Sequence, residues 1–328
     1  MQAEVYPWQQ ELWQALTRRQ QQAHAYLLHG PAGSGKRELA ERFAQYLLCR
    51  QPQDSQRCGQ CSSCKLYLSD SHPDMLRVEP EEEGKGILIG RIRELVAQIQ
   101  HTPQQGGRLV VLLQPAEAMT VESSNALLKS LEEPTASTIF ILITDQLSFL
   151  LPTIKSRCVM QACPLPPAAQ ALDWLQGRLE PQQSAQAGQL LNLAAGSPLA
   201  ALEFARSGVL EHRKQVVEGV KQLLKRQISP VELAARWNKL PLLLLLEWFA
   251  QWNQALLRYR LTEDEQQLGL EDMRVVLGYM AQFVAADEIV ELQQWLLERR
   301  NKLLRRAPLQ TQLVLETLLA RWLSLFKK

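Results

Sequence analysis

The chain has 328 residues, 46% of them hydrophobic, so it is long enough to bury a sizeable core and to form two or three domains. Its 36 basic and 34 acidic residues give a formal net charge of +2, which excludes a global field that would gather nucleic acid or anionic lipid. The longest leucine run, Leu242 to Leu246, is too short to span a bilayer, and the polar opening does not resemble a signal peptide. We therefore expect a cytoplasmic protein with no membrane contact.

The N-terminal part predicts a helix, a strand, a glycine loop and a second helix. An amphipathic helix is expected from Tyr6-Pro7-Trp8 to about Arg19, with Trp8, Leu12, Trp13 and Leu16 forming a stripe that faces the core. The apolar segment Ala25 to His29 is typical of a strand, and a helix is predicted over Glu38 to Cys49. A glycine loop between a strand and a helix has the setting that a phosphate-binding loop requires.

The glycine loop matches the pattern G-x-x-x-x-G-K through Gly30, Gly35 and Lys36, with Gly33 as a further glycine. Its amide groups and Lys36 could surround a polyphosphate at the start of a helix, where the helix dipole favours negative charge. The next position should carry a hydroxyl that holds magnesium, but Arg37 has no oxygen and adds a positive charge. We expect that ATP or ADP could bind this degenerate loop but is not hydrolysed. A glycine turn without a chemical role is the alternative.

Four cysteines lie within sixteen residues: Cys49, Cys58, Cys61 and Cys64. In a chain with no export signal, clustered cysteines indicate metal binding in a reducing compartment rather than disulfides. Four soft ligands fit a closed, tetrahedral, structural zinc site. An iron–sulfur cluster or unligated cysteines remain alternatives, because C-x₂-C-x₂-C resembles a ferredoxin run. His72 could replace one ligand, although it more simply begins a turn.

Further strands and helices alternate along the next hundred residues, which predicts right-handed crossovers and a parallel sheet covered on both faces. The predicted strands are Met75 to Val78, Leu109 to Leu113, Ile139 to Ile143 and Val159 to Ala162. Helices are predicted over Ile89 to Gln100 and over the segment that ends before Pro134.

The residues after the buried strand Leu109 to Leu113 do not match those of a P-loop ATPase. Acidic residues at this place hold magnesium and polarise the attacking water, but here they are replaced by Gln114 and Pro115. Glu117 is close in sequence, but two residues beyond a proline it need not point at a phosphate. The sequence therefore predicts negligible ATP turnover.

The segment Leu151 to Cys158 contains Ser156-Arg157-Cys158, directly before a predicted strand. An arginine at the end of a short helix can bind a phosphate held by another molecule as well as a phosphate held by its own chain. Pairing with a local carboxylate is the alternative.

The glycine loop with its cysteine insert, the sequence Asn-Ala-Leu-Leu-Lys-Ser-Leu-Glu-Glu-Pro at 125–134 and the segment Leu151 to Cys158 together resemble the subunits of the bacterial DNA polymerase III clamp loader, which belong to the AAA+ class. These motifs cover residues 1 to about 163. The missing magnesium ligands and the opening Tyr6-Pro7-Trp8 are most similar to those of a subunit that does not hydrolyse ATP.

The resemblance implies an α/β fold followed by an all-α part, in three domains. These are an AAA+ P-loop parallel-sheet domain over residues 1–163 with a zinc module at 49–64, a small helical lid domain over 164–206, and a helical collar domain over 207–328 through which subunits form a ring. In hydrolysing relatives an arginine follows the Gly-Ser pair of the lid, but in this chain Gly196-Ser197-Pro198 is followed by Leu199.

The function that the resemblance implies is that of a stator-like subunit, which helps to load the sliding clamp onto primed DNA. Arg157, with Ser156 and Cys158, would insert as an arginine finger into the ATP site of a neighbouring motor subunit. The implied partners are gamma/tau and delta subunits in a hetero-oligomeric ring, with the sliding clamp and primer-template DNA reached through the complex.

Two other functions remain open. An ATP-hydrolysing motor subunit of the gamma/tau type is favoured only by Lys36. A zinc-dependent nucleic-acid-binding protein is favoured by the cysteines and by a late basic cluster, although such a cluster is commonly a solvated helix face. The cluster comprises Arg299, Arg300, Lys302, Arg305 and Arg306.

Overall fold

The computed structural model describes residues 5–82, 84–268 and 271–326. The chain divides into two compact units, Met1–Ser207 and Gly208–Lys328. The first contains a β-sheet with helices and the second is helical where described, so the predicted order of α/β followed by all-α is confirmed. The separation of residues 164–206 as a domain of their own stays a prediction.

The described strands form one parallel sheet with the order β2-β3-β4-β1-β5. They are β1 (Ala25–His29), β2 (Met75–Val78), β3 (Leu109–Leu113), β4 (Thr138–Thr144) and β5 (Val159–Ala162). The predicted strands are confirmed, with β4 longer by one residue at each end. Because all strands run in the same direction, the loops that follow them meet at one edge of the sheet.

Helices cover both faces of this sheet. They are α1 (Gln10–Thr17), α2 (Lys36–Leu48), α3 (Ser62–Leu68), α4 (Ile89–Gln98), α5 (Val121–Glu132) and α6 (Pro152–Lys155). Strand β1 shows the alternation: Tyr26 and Leu28 pack with α1, α2 and α3, whereas Leu27 packs with α4, α5 and α6. Burial of the sheet between two apolar layers explains why the strands read as continuous hydrophobic runs.

The first unit ends with four helices after β5: α7 (Ala168–Gln176), α8 (Pro181–Ser184), α9 (Ala187–Leu193) and α10 (Pro198–Arg206). Ser197 begins α10 as its N-cap, because its hydroxyl accepts a hydrogen bond from the amide of Ala200 at 3.3 Å and Pro198 takes the first helical position. The lid-like segment of the sequence is therefore helical.

The second unit consists of α11 (Val209–Leu224), α12 (Pro230–Trp237), α13 (Leu242–Thr262), α14 (Arg274–Met280), α15 (Ala286–Leu304) and α16 (Thr311–Ser324). Its core contains Trp248, Phe249 and Trp252 of α13 and Trp322 of α16. The leucine run opens α13 within this packing, and no helix in the described ranges is long and apolar enough to cross a membrane.

A buried arginine completes that core. Arg213 is 2% exposed, forms an ion pair with Asp272 at 2.7 Å, and lies over the rings of Trp248 and Trp252 at 5.0 and 4.8 Å. Its charge is compensated by the carboxylate and by the aromatic faces.

Short 3₁₀ segments connect several of these elements: Pro7–Gln9, Ala116–Ala118, Leu147–Phe149 and Glu265–Leu268. The first precedes α1, which ends at Thr17 and not at about Arg19 as predicted.

Candidate functional site

The glycine loop lies between β1 and α2 and is tightly packed. A side chain on Gly30 would collide with the carbonyl of Cys163, and one on Gly33 with the hydroxyl of Ser197. Gly33 and Gly35 also have positive φ angles of +71° and +88°. These glycines therefore serve close approach and left-handed backbone conformation.

The ammonium group of Lys36 is bound within its own loop. Lys36 is 4% exposed, and its Nζ donates to the carbonyls of Gly30 at 2.9 Å and Pro31 at 2.6 Å and to the hydroxyl of Ser34 at 3.3 Å. The same Nζ lies 2.6 Å from Asp145 Oδ1. An ammonium group has three donors, so these acceptors leave it no free donor. A phosphate that used Lys36 would have to displace one of them.

Asp145 and Glu117 join the loop at the carboxyl edge of the sheet. Asp145 directly follows β4, and its amide donates to Glu117 Oε1 at 3.0 Å. Sequence analysis gave neither residue a role near the loop, although an aspartate at the end of a buried parallel strand is itself a signal. The carboxylate of Asp145 therefore binds Lys36, and the carboxylate of Glu117 binds the backbone amide of Asp145.

The N-terminal segment also covers the loop. The indole Nε1 of Trp8 and the amide Nε2 of Gln9 both donate to the carbonyl of Ser34, each at 2.9 Å. Trp8 stacks on Tyr6 with ring centroids 4.8 Å apart, and its ring meets Trp174 edge-on at 5.4 Å. The prediction that Trp8 belongs to the core stripe was therefore wrong, whereas Trp13 and Leu16 are buried as predicted.

The residue in the magnesium-binding position pairs with a different carboxylate from the one that binds Lys36. Arg37 forms an exposed ion pair with Glu79, with Nη2 3.1 Å from Oε1. Beside the loop, burial, followed by the charge of Lys36, lowers the pKa of His29 below its usual value. The two cations of the loop region, Lys36 and Arg37, are therefore each paired with a carboxylate, and the charged form of His29 is disfavoured.

The four predicted metal ligands come together in one cluster. Their sulfur atoms all lie within 4.8 Å of one another, with Cys49 Sγ 3.5 Å and Cys64 Sγ 4.0 Å from Cys58 Sγ. Zinc–sulfur bonds of 2.3 Å in a tetrahedron place sulfur atoms about 3.8 Å apart. The donor set and its spacing therefore fit a zinc ion.

Backbone amides support the cluster. The amide of Cys58 donates to Cys49 Sγ at 3.2 Å, and the amides of Cys61 and Cys64 donate to the preceding cysteine sulfur at 3.4 Å. Hydrogen bonds from the amides of Gln60 and Cys61 lower the pKa of Cys58 to about 6, and burial raises that of Cys64 to about 12. This environment favours a negatively charged sulfur at Cys58, which is the form that binds metal.

His72 is not placed as a ligand. Its Nδ1 accepts the amide of Asp74 at 3.1 Å and its Nε2 lies 2.7 Å from Ser63 Oγ, which in turn donates to the carbonyl of Leu48 at 2.6 Å. The buried ring therefore ties α3 to the end of α2 and to the start of β2, and burial lowers its pKa.

Arg157 lies between α6 and β5, at the end of a short helix as predicted. Its Nη1 donates to the carbonyl of Thr153 at 2.9 Å and to Ser156 Oγ at 3.3 Å, and its Nη2 forms an ion pair with Glu132. The side chain of Arg157 is 31% exposed and that of Glu132 is 46% exposed. Burial raises the pKa of Cys158 to about 12, which disfavours its thiolate form.

The basic cluster of the second unit carries acidic partners. Arg300 lies 3.3 Å from Glu247, and Lys302 lies 2.8 Å from Glu298, which also meets Arg299 at 3.8 Å. This pairing is typical of a solvated helix face and weakens the case for direct nucleic-acid binding.

Family models and similar proteins both match this chain over most of its length. A family model described as DNA polymerase III, delta subunit matches residues 7–165, and one described as DNA polymerase III, delta subunit, C terminal matches residues 207–324. A DNA polymerase III subunit delta' of Pseudomonas aeruginosa is 52% identical over 323 residues, which cover 98% of both chains. The delta' subunit of Yersinia pestis is 30% identical over 332 residues, covering 97% of this chain and 95% of its own. A DNA polymerase III subunit tau/gamma of Haemophilus influenzae is 35% identical over 136 residues, 42% of this chain and 19% of that protein.

A parallel α/β sheet with a glycine loop after its first strand places the first unit among the P-loop-type α/β proteins. Within that class, the chain belongs to the DNA polymerase III delta' subunit family. The family predicted from the sequence motifs is confirmed.

Proposed function

We propose that this chain is a stator-like subunit of a clamp loader, which does not hydrolyse ATP itself and supplies Arg157 to the ATP site of a neighbouring motor subunit. The observation that carries the proposal is a contrast between two cations. Lys36 is buried and bound by its own loop, whereas Arg157 is partly exposed on the edge of the sheet domain. Lys36 is enclosed by its own loop, whereas Arg157, although paired with Glu132, keeps part of its side chain exposed to a neighbouring molecule.

The absence of hydrolysis rests on four positions. Arg37 supplies no oxygen for magnesium, Gln114 and Pro115 supply no carboxylate, and Leu199 supplies no charge after the Gly-Ser pair. A phosphoryl transfer needs these groups because its catalysis is almost entirely positioning and charge stabilisation. ATP or ADP bound through Gly30, Gly33, Gly35 and Lys36 would therefore persist without turnover.

The remaining parts follow from family membership. Residues 1–163 would form the AAA+ domain, 164–206 the lid and 207–328 the collar, with gamma/tau and delta subunits as ring neighbours in the cytoplasm. A zinc ion held by Cys49, Cys58, Cys61 and Cys64 would be structural, since four protein ligands leave no open position for catalysis. The clamp and primer-template DNA would be reached through the assembled ring.

The test is Arg157→Ala in a reconstituted loader, measured as DNA-stimulated ATP hydrolysis and clamp loading. An arginine finger accelerates the neighbouring site by roughly 10³- to 10⁵-fold, so hydrolysis at that site should be lost. Arg157→Lys should rescue little, because a lysine lacks the planar fork of donors.

A matched control is Arg93→Ala, which removes an exposed arginine from α4 and should leave hydrolysis unchanged. Full ATPase and loading activity with Arg157→Ala would reject the finger.

An ATP-hydrolysing motor subunit is the second candidate, favoured by the match to tau/gamma over 136 residues. Brisk ATP hydrolysis by the purified chain alone would support it.

A further inference from the structure

The partner of Arg157 comes from a different helix. Glu132 is the last residue of α5, and its carboxylate meets the Nη2 group of Arg157. On its other side the same guanidinium donates through Nη1 to the carbonyl of Thr153, in the final turn of α6. The guanidinium is therefore held between the ends of two helices of the sheet domain.

These contacts restrict a side chain that is otherwise flexible. An arginine side chain has many rotamers, so an unrestrained guanidinium would sample many positions around the helix end. Because both Nη groups have partners, the plane of the guanidinium is restricted before a phosphate binds. Nη1 also donates to the hydroxyl of Ser156 at 3.3 Å, and Glu132 is the charged anchor that substitution can remove.

The ion pair between Arg157 and Glu132 is also weak enough for a phosphate to displace the carboxylate. Both side chains are partly exposed, at 31% and 46%, and ion pairs in such settings contribute little to stability. A phosphate carries more charge than a carboxylate and offers several acceptor oxygens, so it can compete for the Nη2 group. Glu132 can orient the arginine without preventing its use.

We infer that Glu132 is a positioning residue for Arg157, which holds the guanidinium in the orientation in which it enters the neighbouring ATP site. This inference rests on the proposed function of Arg157. It differs from that function in naming a residue that acts on the arginine and never on the phosphate.

The experiment measures kcat and KM for ATP in the reconstituted loader with Glu132→Ala, Arg157→Ala and the double variant. Glu132→Ala should lower kcat by about two- to fivefold and leave KM unchanged, because the arginine is less often oriented for phosphoryl transfer. In the Arg157→Ala background it should have no further effect, since the residue acts only through the arginine. Glu132→Asp should recover part of the loss.

The matched control is Glu133→Ala, which removes the adjacent exposed carboxylate and should leave kcat unchanged. An unchanged or raised kcat in Glu132→Ala, while Arg157→Ala still abolishes hydrolysis at the neighbouring site, would overturn the inference alone. An equal loss from Glu132→Ala with and without Arg157 would overturn it as well, because the residue would then act through general structure. Full activity of Arg157→Ala would instead reject the proposed function, and the inference with it.

Discussion

Lys36 occupies the lysine position of the P-loop motif, and its ammonium group is bound by its own loop and by Asp145. In a nucleotide-bound P-loop this lysine contacts the phosphates. Here its Nζ lies between the carbonyls of its own loop and Asp145. A buried ammonium group is stable only when its donors are satisfied, and this one is satisfied entirely by the chain. The lysine therefore acts as a structural tie between β1, α2 and the end of β4.

We predict that Lys36→Met destabilises the protein in the absence of nucleotide, by about 2 kcal/mol in the free energy of unfolding. Hydrogen bonds to charged groups contribute about 1.5 to 3 kcal/mol, and the substitution leaves the loop carbonyls without their donor. Urea denaturation of the purified chain measures the change. Arg37→Met is the matched control and should cost less than about 0.5 kcal/mol, because its pair with Glu79 is exposed. Equal stabilities of Lys36→Met and the unmodified chain would contradict the structural role.

The cysteine module includes a segment with no helix or strand and mostly exposed side chains. Between Leu48 and Ser62 the described chain contains no helix or strand, and its turns place Asp54 and Ser55 at positive φ. Cys61 is the N-cap of helix α3, and its sulfur accepts a hydrogen bond from the amide of Cys64. Such a segment buries little surface against the entropy of ordering it, so the cysteines are the groups able to fix it.

We predict one zinc ion per chain, and that removing it lowers the free energy of unfolding. Where free zinc exceeds its dissociation constant a thousandfold, the stabilisation is about 4 kcal/mol, and a strong chelator should abolish it. Elemental analysis and thermal melting with and without chelator provide the measurements. Cys64→Ser should lose the metal, whereas Cys163→Ser, outside the cluster, should keep it. Iron in place of zinc would instead support the cluster type left open by the spacing.

The sheet and the cysteine cluster were predictable because their signals are local. Apolar runs such as Leu109–Leu113 identify buried strands, and the cysteine spacing identifies a ligand set without any knowledge of the fold. The glycine loop was recognisable for the same reason.

The polar ties of the site were not predictable in this way. Lys36 pairs with Asp145 and Arg157 pairs with Glu132 across long sequence separations. The sequence contains many other carboxylates that could have been the partner of either cation. Only the order of strands in the sheet and the docking of α6 beside α5 select these partners. The contact of Trp8 with Ser34 was missed because helical periodicity predicts a buried face but not a hydrogen bond to a distant loop.

At the scale of the whole molecule, the function we propose divides a phosphoryl-transfer site between two chains. One chain retains a glycine loop without magnesium ligands, together with an arginine that is partly accessible. A complete site requires the missing groups from another chain, so activity should belong to the assembly and not to this subunit. In the function we propose, the helical second unit, matched by the C-terminal family model, mediates that assembly.

We predict that the purified chain hydrolyses ATP no faster than buffer, and that Arg37→Thr does not restore hydrolysis. Threonine would return the hydroxyl that binds magnesium, but Gln114 and Pro115 still provide no carboxylate and Lys36 remains paired with Asp145. Both preparations must support DNA-stimulated ATPase when mixed with the other loader subunits, which shows that they are folded and able to assemble. ATP turnover by Arg37→Thr alone would mean that a single hydroxyl separates this chain from a motor, and the division of labour inferred from Lys36 and Arg157 would be wrong.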